Sequence, residues 1–204
     1  MRIIPSVLEK NWQEAERKIR MIKELVTWIQ IDVVDGEFSF GKTFELELVK
    51  SIFEESENNL LDIHLMVKEP IKWINKCDFA GASRIIGQVE MMSDREEFVR
   101  IVKDLGMEAG LAFDVETEVN NIPKETDVVL LMGRKTGFGV MPLEEKVWKK
   151  IKKIKEEKFE IGVDGGVTAS NIRKIKEAGV DLVYCGGAVF GGGKIEDNLT
   201  KLQI

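Results

Sequence analysis

Asp32, His64 and Asp164 stand in or at the ends of three apolar, β-rich runs, where an ionisable side chain serves no packing purpose. The first run, "WIQIDVVDGEF" at 28–38, alternates Ile29, Ile31 and Val33 with Gln30 and Asp32, so amide and carboxylate share one face. "LLDIHLM" places Asp62, His64 and Met66 together in the same way, and "EIGVDGGV" delivers Asp164 just before a Gly-Gly turn. His64 is the only histidine in the chain. A lone histidine is commonly structural, but two aspartates at equivalent strand ends are costly to bury unless paired or bound to a cation. The three residues read as a site.

Two carboxylates facing each other across one mouth suit the inversion of a carbon next to a ketone. One base removes the α-proton and an acid on the opposite face returns one. The enediolate formed in between needs a cation or hydrogen-bond donors on its oxygens, which a divalent metal held by Asp and His would supply. Gly165 and Gly166 in "VDGGV" and Gly186 and Gly187 in "YCGGAVF" follow the last two strand runs. Turns of this kind either serve only to reverse the chain or present backbone N–H groups to a phosphate. "GGGK" at 191–194 is not a nucleotide-binding loop, because Ile195 replaces the Ser/Thr and Ala188 the first glycine.

These residues need a frame, and the chain supplies a regular one. Strands are expected at Arg2–Pro5, Trp28–Val33, Leu60–His64, Arg84–Gly87, Ala109–Phe113, Val128–Met132, Glu160–Val163 and Leu182–Cys185. Between them lie helical patterns at Trp12–Leu25, Phe44–Glu54, Ile71–Cys77, Arg95–Leu105, Thr117–Asn121, Leu143–Lys155 and Ala169–Glu177, with a last one at Ile195–Leu202. Ser93-Asp94, Pro142 and Thr168 mark helix starts, while Gly106 and Gly179 mark helix ends. Such units could build a doubly wound open sheet. Eight of them fit an α/β fold of another kind better, a single (β/α)₈ TIM barrel over residues 1–204 whose chemistry lies at the C-terminal ends of the strands.

Composition narrows the partners. A net charge of -6 provides no basic field for nucleic acid. The lysines of "KVWKKIKKIKEEK" at 146–158 interleave with apolar residues at helical spacing, as on a solvated helix face. No apolar run reaches membrane-spanning length, and "MRIIPSVLEK" lacks a signal peptide's apolar centre. Cys77 and Cys185 are expected as free thiols in a cytoplasmic protein.

The ordered segments resemble the ribulose-phosphate 3-epimerase family nearly end to end. "IIPSVL" resembles its opening strand and "IQIDVVDGEF" its strand-2 signature, His-x-Asp-x-Met-Asp-Gly-His-Phe. "LDIHLMVKEP" is similar to the strand-3 segment, and "LLMGRKTGFG" to the strand-6 stretch ending in Pro-Gly-Phe-Gly-Gly. "IGVDGGVTASNI" and "AGVDLVYCGGAVF" are similar to the closing units. The resemblance implies a barrel that inverts C3 of a phosphorylated ketose, D-ribulose 5-phosphate in the family, and that is commonly a homo-oligomer. It implies that Asp32 and Asp164 are both the acid/base pair and metal ligands, with His64 a further ligand. Ser6, Met66 and Met132 would contact substrate. Gly165, Gly166, Gly186 and Gly187 would hold the phosphate, and Gly137 and Gly139 would lie in the loop that covers it.

Some positions depart from the family. Gln30 stands where the family has its other metal-binding histidine, and an amide oxygen is a neutral, weaker donor. One divalent ion (zinc, iron, manganese or cobalt) is therefore expected, with affinity lowered or lost. Gln88 stands where strand 4 usually ends in His, and Gly187 lacks a serine hydroxyl. "TGFGVM" replaces Pro-Gly-Phe-Gly-Gly-Gln, and the loop "SFGKTFE" lacks a Val-Pro-Asn segment. The alternatives to the epimerase are a barrel acting on another sugar phosphate and a non-catalytic phospho-sugar binder. The two retained aspartates count against the binder.

Overall fold

Side chains alternate across each strand, giving it one face toward the helices and one toward a common interior, and in sequence order the strands close on themselves. A computed structural model of the chain describes residues 1–56, 58–139 and 141–203. Its strands are β1 (Arg2–Val7), β2 (Trp28–Val34), β3 (Leu60–Met66), β4 (Ala82–Gln88), β5 (Glu108–Phe113), β6 (Val128–Met132), β7 (Glu160–Asp164) and β8 (Leu182–Cys185). They form a closed barrel in which every neighbouring pair is parallel and β8 returns to β1. The helices are α1 (Trp12–Ile22), α2 (Lys50–Glu54), α3 (Ile74–Ala80), α4 (Arg95–Asp104), α5 (Lys146–Ile154), α6 (Ile172–Glu177), α7 (Gly187–Phe190) and α8 (Ile195–Leu202).

Outward residues such as Ile31, Ile63, Leu111, Leu131 and Val183 meet the apolar stripes of the helices, for example Ile19 and Ile22 of α1 or Val147 and Ile151 of α5, in one continuous core. A second cluster fills the barrel itself, with Ile4, Trp28, Ile86, Ala112, Leu130, Met132, Leu182 and Tyr184 among its members. Caps set the helix starts: the Asn11 side chain accepts from the Glu14 N–H at 3.0 Å, and Asp94 accepts from Glu97 at 2.9 Å. Gly106 and Gly179 take the left-handed conformation expected after a helix, with φ of 80° and 92°. Both cysteines are free and buried.

The expected helix at Thr117–Asn121 does not form. Its β-branched residues and paired asparagines are weak helix formers, Asn121 is left-handed at φ 49°, and Pro123 follows. Neighbouring side chains take the carbonyls instead: Lys153 donates to Val119 O at 2.9 Å, Arg95 to Asn120 O at 2.7 Å, and Lys150 to Asp114 O. The other differences are of extent. Two expected helices, at Phe44–Glu54 and Ile71–Cys77, begin as 3₁₀ turns at Leu46–Val49 and Pro70–Trp73. The one expected from Ala169 begins at Ile172, because the Asn171 side chain accepts the Thr168 N–H and donates to Gly166 O, both at 2.8 Å. Residues Gly187–Phe190 form a short helix that the sequence reading did not include.

Beneath the C-terminal rim lies a polar floor. Arg84, with no exposed surface, donates to Asp62 at 3.0 Å, to the Tyr184 hydroxyl oxygen at 3.2 Å and, through Nε, to Glu108 at 2.7 Å. Tyr184 donates to the same Asp62 oxygen at 3.0 Å, and the Trp28 ring lies 4.2 Å from the guanidinium carbon. Burial pushes the Asp62 carboxyl up, and Arg84 and Tyr184 oppose that rise.

Candidate active site

Register brings the predicted residues to one level. Asp32 pairs with His64 across β2–β3, Met132 pairs with Asp164 across β6–β7, and the inward face of each strand carries these side chains to the rim. His64 Nδ1 lies 3.0 Å from Asp32 Oδ1 and 3.9 Å from Asp164 Oδ2. His64 is wholly buried and Asp32 nearly so. One ligand atom from each of the three residues lies within 4.8 Å of the others.

The opposite edge of the imidazole is also held. His64 Nε2 is 2.9 Å from Gln88 Oε1, at the end of β4. An amide oxygen only accepts, so Nε2 carries a proton and Nδ1 faces the carboxylates. Gln88 in turn donates to the Thr136 hydroxyl at 3.2 Å, and the Thr136 N–H donates to Asp114 at 3.1 Å. A polar chain thus runs from the end of β5 through the β6 loop to His64. The sequence marks Gln88 as a departure from the family pattern, but gives no sign of Thr136 or Asp114 as its partners. The signal was available for Gln88, an amide closing the run Ile85-Ile86-Gly87, but not for a partner brought in by a loop.

Electrostatics follows from this packing. Burial by itself lowers the His64 pKa, but the hydrogen bond and charge of Asp32, with the charge of Asp164, outweigh it and raise the value to about 9. Burial, and then the neighbouring Asp32 charge, push the Asp164 carboxyl up to about 7, while His64 and Arg134 oppose the rise. Near neutral pH Asp164 therefore exchanges a proton readily, the condition for general acid–base work.

Gln30 is one layer deeper, paired with Asp62, and its Nε2 donates to Asp62 Oδ1 at 3.5 Å. A carboxylate fixes that amide nitrogen toward itself and turns Oε1 away. Oε1 is buried and has no hydrogen-bond partner. An orphaned acceptor two residues before Asp32, on the same face, fits a cation ligand. The two carboxylates and the imidazole that do converge are a donor set that fits a divalent metal.

The glycine turns lie around this centre. Gly165 and Gly166 are both left-handed, with φ of 91° and 74°. Ser6 is buried beside the turn after β8, where a Cβ on Gly186 would lie 3.2 Å from Ser6 O and 3.3 Å from its Oγ. Gly187 faces open space. Met66 and Met132 are buried at the ends of β3 and β6. The loop after β6 meets the loop after β2 over the barrel: a Cβ on Gly137 would fall 2.0 Å from Ser39 Oγ, and one on Gly41 would fall 2.9 Å from the Phe138 ring. Gly139 is left-handed and unobstructed.

A closed parallel barrel with an aspartate–histidine–aspartate cluster on its C-terminal rim, with glycine turns after its last strands, defines the class: a (β/α)₈ barrel with a buried carboxylate–imidazole centre. The pattern of the Ribulose-phosphate 3 epimerase family matches residues 2–190, and the chain belongs to that family. It is 29% identical to the ribulose-phosphate 3-epimerase of Aquifex aeolicus, covering 98% of this chain and 95% of that one. It is 30% identical to the ribulose-phosphate 3-epimerase of Bacillus subtilis, over 100% and 98% of the two chains. Among solved structures, the 3-keto-L-gulonate-6-phosphate decarboxylase of Vibrio cholerae superposes with a TM-score of 0.75 at 12% identity, covering 98% of this chain and 94% of that one, which is a likeness of fold.

Proposed function

We propose that this chain is an isomerase of the ribulose-phosphate 3-epimerase type, inverting C3 of a ketose phosphate by proton transfer between Asp32 and Asp164. The observation that carries it is the convergence of two aspartates from β2 and β7 on one imidazole, at 3.0 and 3.9 Å. In one direction Asp32 takes the C3 proton and Asp164 returns its own to the opposite face; in the other direction the roles exchange. His64, held from behind by Gln88, keeps the two carboxylates in register. Gly165, Gly166, Gly186 and Gly187 present backbone N–H groups to the phosphate, with Ser6, Met66 and Met132 lining the sugar and Gly137 and Gly139 in the covering loop.

Asp32, His64 and Asp164 would hold one divalent ion, zinc, iron, manganese or cobalt, with the Gln30 amide oxygen as an added donor. Bound there, the ion supplies positive charge beside the substrate oxygens as the proton leaves. An oxygen in place of a family imidazole shifts the preference toward harder ions such as manganese.

The test is solvent-deuterium exchange at C3 of D-ribulose 5-phosphate. Asp32→Asn or Asp164→Asn should each reduce exchange by about 10²-fold or more. Exchange that survives both substitutions would rule out the pair. The Gln30 and Gln88 replacements and the short β2 loop favour one variation, the same proton chemistry on another ketose phosphate. It is separated by running the exchange over pentulose and hexulose phosphates.

A further inference from the structure

Arg134, the second residue after β6, has a role that none of the residues above fills. Its side chain is half-buried and lies directly against the first glycine of the β7 turn: a Cβ on Gly165 would fall 2.7 Å from Arg134 Cγ, 3.2 Å from Nε and 3.3 Å from Cδ. Gly165 therefore lacks a side chain for two independent reasons, its left-handed backbone and the passage of this arginine. At the far end, Nη1 donates to Lys135 O at 3.1 Å and to Gly137 O at 3.0 Å. The guanidinium is thus strung between the β7 glycine turn and the covering loop.

A guanidinium has five N–H donors in a planar fork. Only Nη1 has an acceptor among the described residues, which leaves Nε and Nη2 unused, and no described carboxylate lies within ion-pair distance of Arg134. Nε and Nη2 form the edge of the fork that takes two oxygens of one anion. The turn after β8 contains a glycine, Gly187, that brings no side-chain donor of its own.

We propose that Arg134 is a specificity-determining residue that binds the anionic phosphate of the substrate through Nε and Nη2, and that its carbonyl bonds to Lys135 and Gly137 make the covering loop close around that anion. This rests on the phosphosugar reading given above and deepens it. The backbone turns contribute partial charges, whereas Arg134 contributes a full one, so affinity for the phosphorylated substrate depends strongly on this side chain and on ionic strength.

The test is calorimetric titration of the intact protein with inorganic phosphate and with D-ribulose 5-phosphate, comparing wild type, Arg134→Gln and Arg134→Lys at low and high salt. Arg134→Gln should weaken both ligands by about 10- to 100-fold and flatten the salt dependence. Arg134→Lys keeps the charge but not the fork, so it should keep the salt dependence while recovering only part of the affinity. Arg134→Gln binding within twofold of wild type overturns the assignment, and so does a loss in Arg134→Gln that leaves the salt dependence unchanged, which would mark the arginine as a loop staple. If wild type binds neither ligand, the phosphosugar reading falls and this assignment with it. If wild type binds and exchanges C3 but Arg134→Gln matches it, the assignment alone falls.

Discussion

His64 is pinned from both edges, and that makes its proton inventory measurable. Without a metal, His64 keeps its second proton until about pH 9, and Asp164 keeps its proton until about pH 7. A divalent ion takes a neutral imidazole and an ionised carboxylate, so uptake must displace whatever protons are present. Below about pH 7 two protons leave, between about pH 7 and 9 one leaves, and above about pH 9 none leaves. Affinity should thus rise with pH at a slope near two, then near one, then level off. Calorimetry in buffers of different ionisation heat counts these protons directly. Uptake at pH 8 with no proton release would remove His64 from the ligand set. Gln30 belongs to the same scale, since a buried acceptor left without a donor costs about 1–3 kcal/mol. A ligand on Oε1 would offset that cost.

At the scale of elements, the loops after β2 and β6 are the exacting parts. Gly137 has φ of 113°, and any Cβ there would collide with Ser39 Oγ at 2.0 Å. Gly137→Ala should part the β2 and β6 loops, lowering kcat/KM by about tenfold while the barrel remains folded. Hydrogen exchange over residues 36–42 should rise in the same variant. Adding Ser39→Gly removes the collision but not the backbone strain, so it should restore activity only in part; no rescue would place the whole effect in the backbone.

The strands were legible because each is a short run rich in β-branched and other apolar residues between turn signals, and Asp32, His64 and Asp164 were legible because a charge in such a run is conspicuous. The strand ends were read short: β3 runs on to Met66, β4 to Gln88 and β7 to Asp164. The last residues of these strands, Met66, Gln88 and Asp164, are polar or flexible side chains at the rim, of a type that local pattern assigns to a loop. The connection from Asp114 to Asp127 was misread because its carbonyls are satisfied by lysine and arginine side chains from α4 and α5, contacts that no local window contains. Arg134 and Arg84 were opaque for the same reason. One lies along a turn and the other under a ring, and only the closed barrel puts them there.

At the scale of the molecule, the floor under the site decides stability. Arg84 and Asp62 are fully buried partners, and removing one strands the other. Arg84→Met should destabilise the fold by about 3–5 kcal/mol, seen as a lower urea midpoint. The deficit should shrink as the pH falls, because a folded-state carboxyl raised by burial favours its protonated form, which needs no cation. A deficit that does not change with pH would assign the loss to packing instead. Asp62→Asn placed on top of Arg84→Met should recover part of the stability.

The return of β8 to β1 has a consequence for how the protein is made. Synthesis delivers β1 first, yet its partner Leu182–Cys185 comes after all the other strands, so β1 presents an unsatisfied edge throughout translation. Asp32 emerges early and Asp164 late, so a nascent chain carries one carboxylate of the proposed pair without the other. The ring must shut before either becomes useful, and ribosomal pausing before Leu182 would lengthen the interval in which that edge is open to other chains.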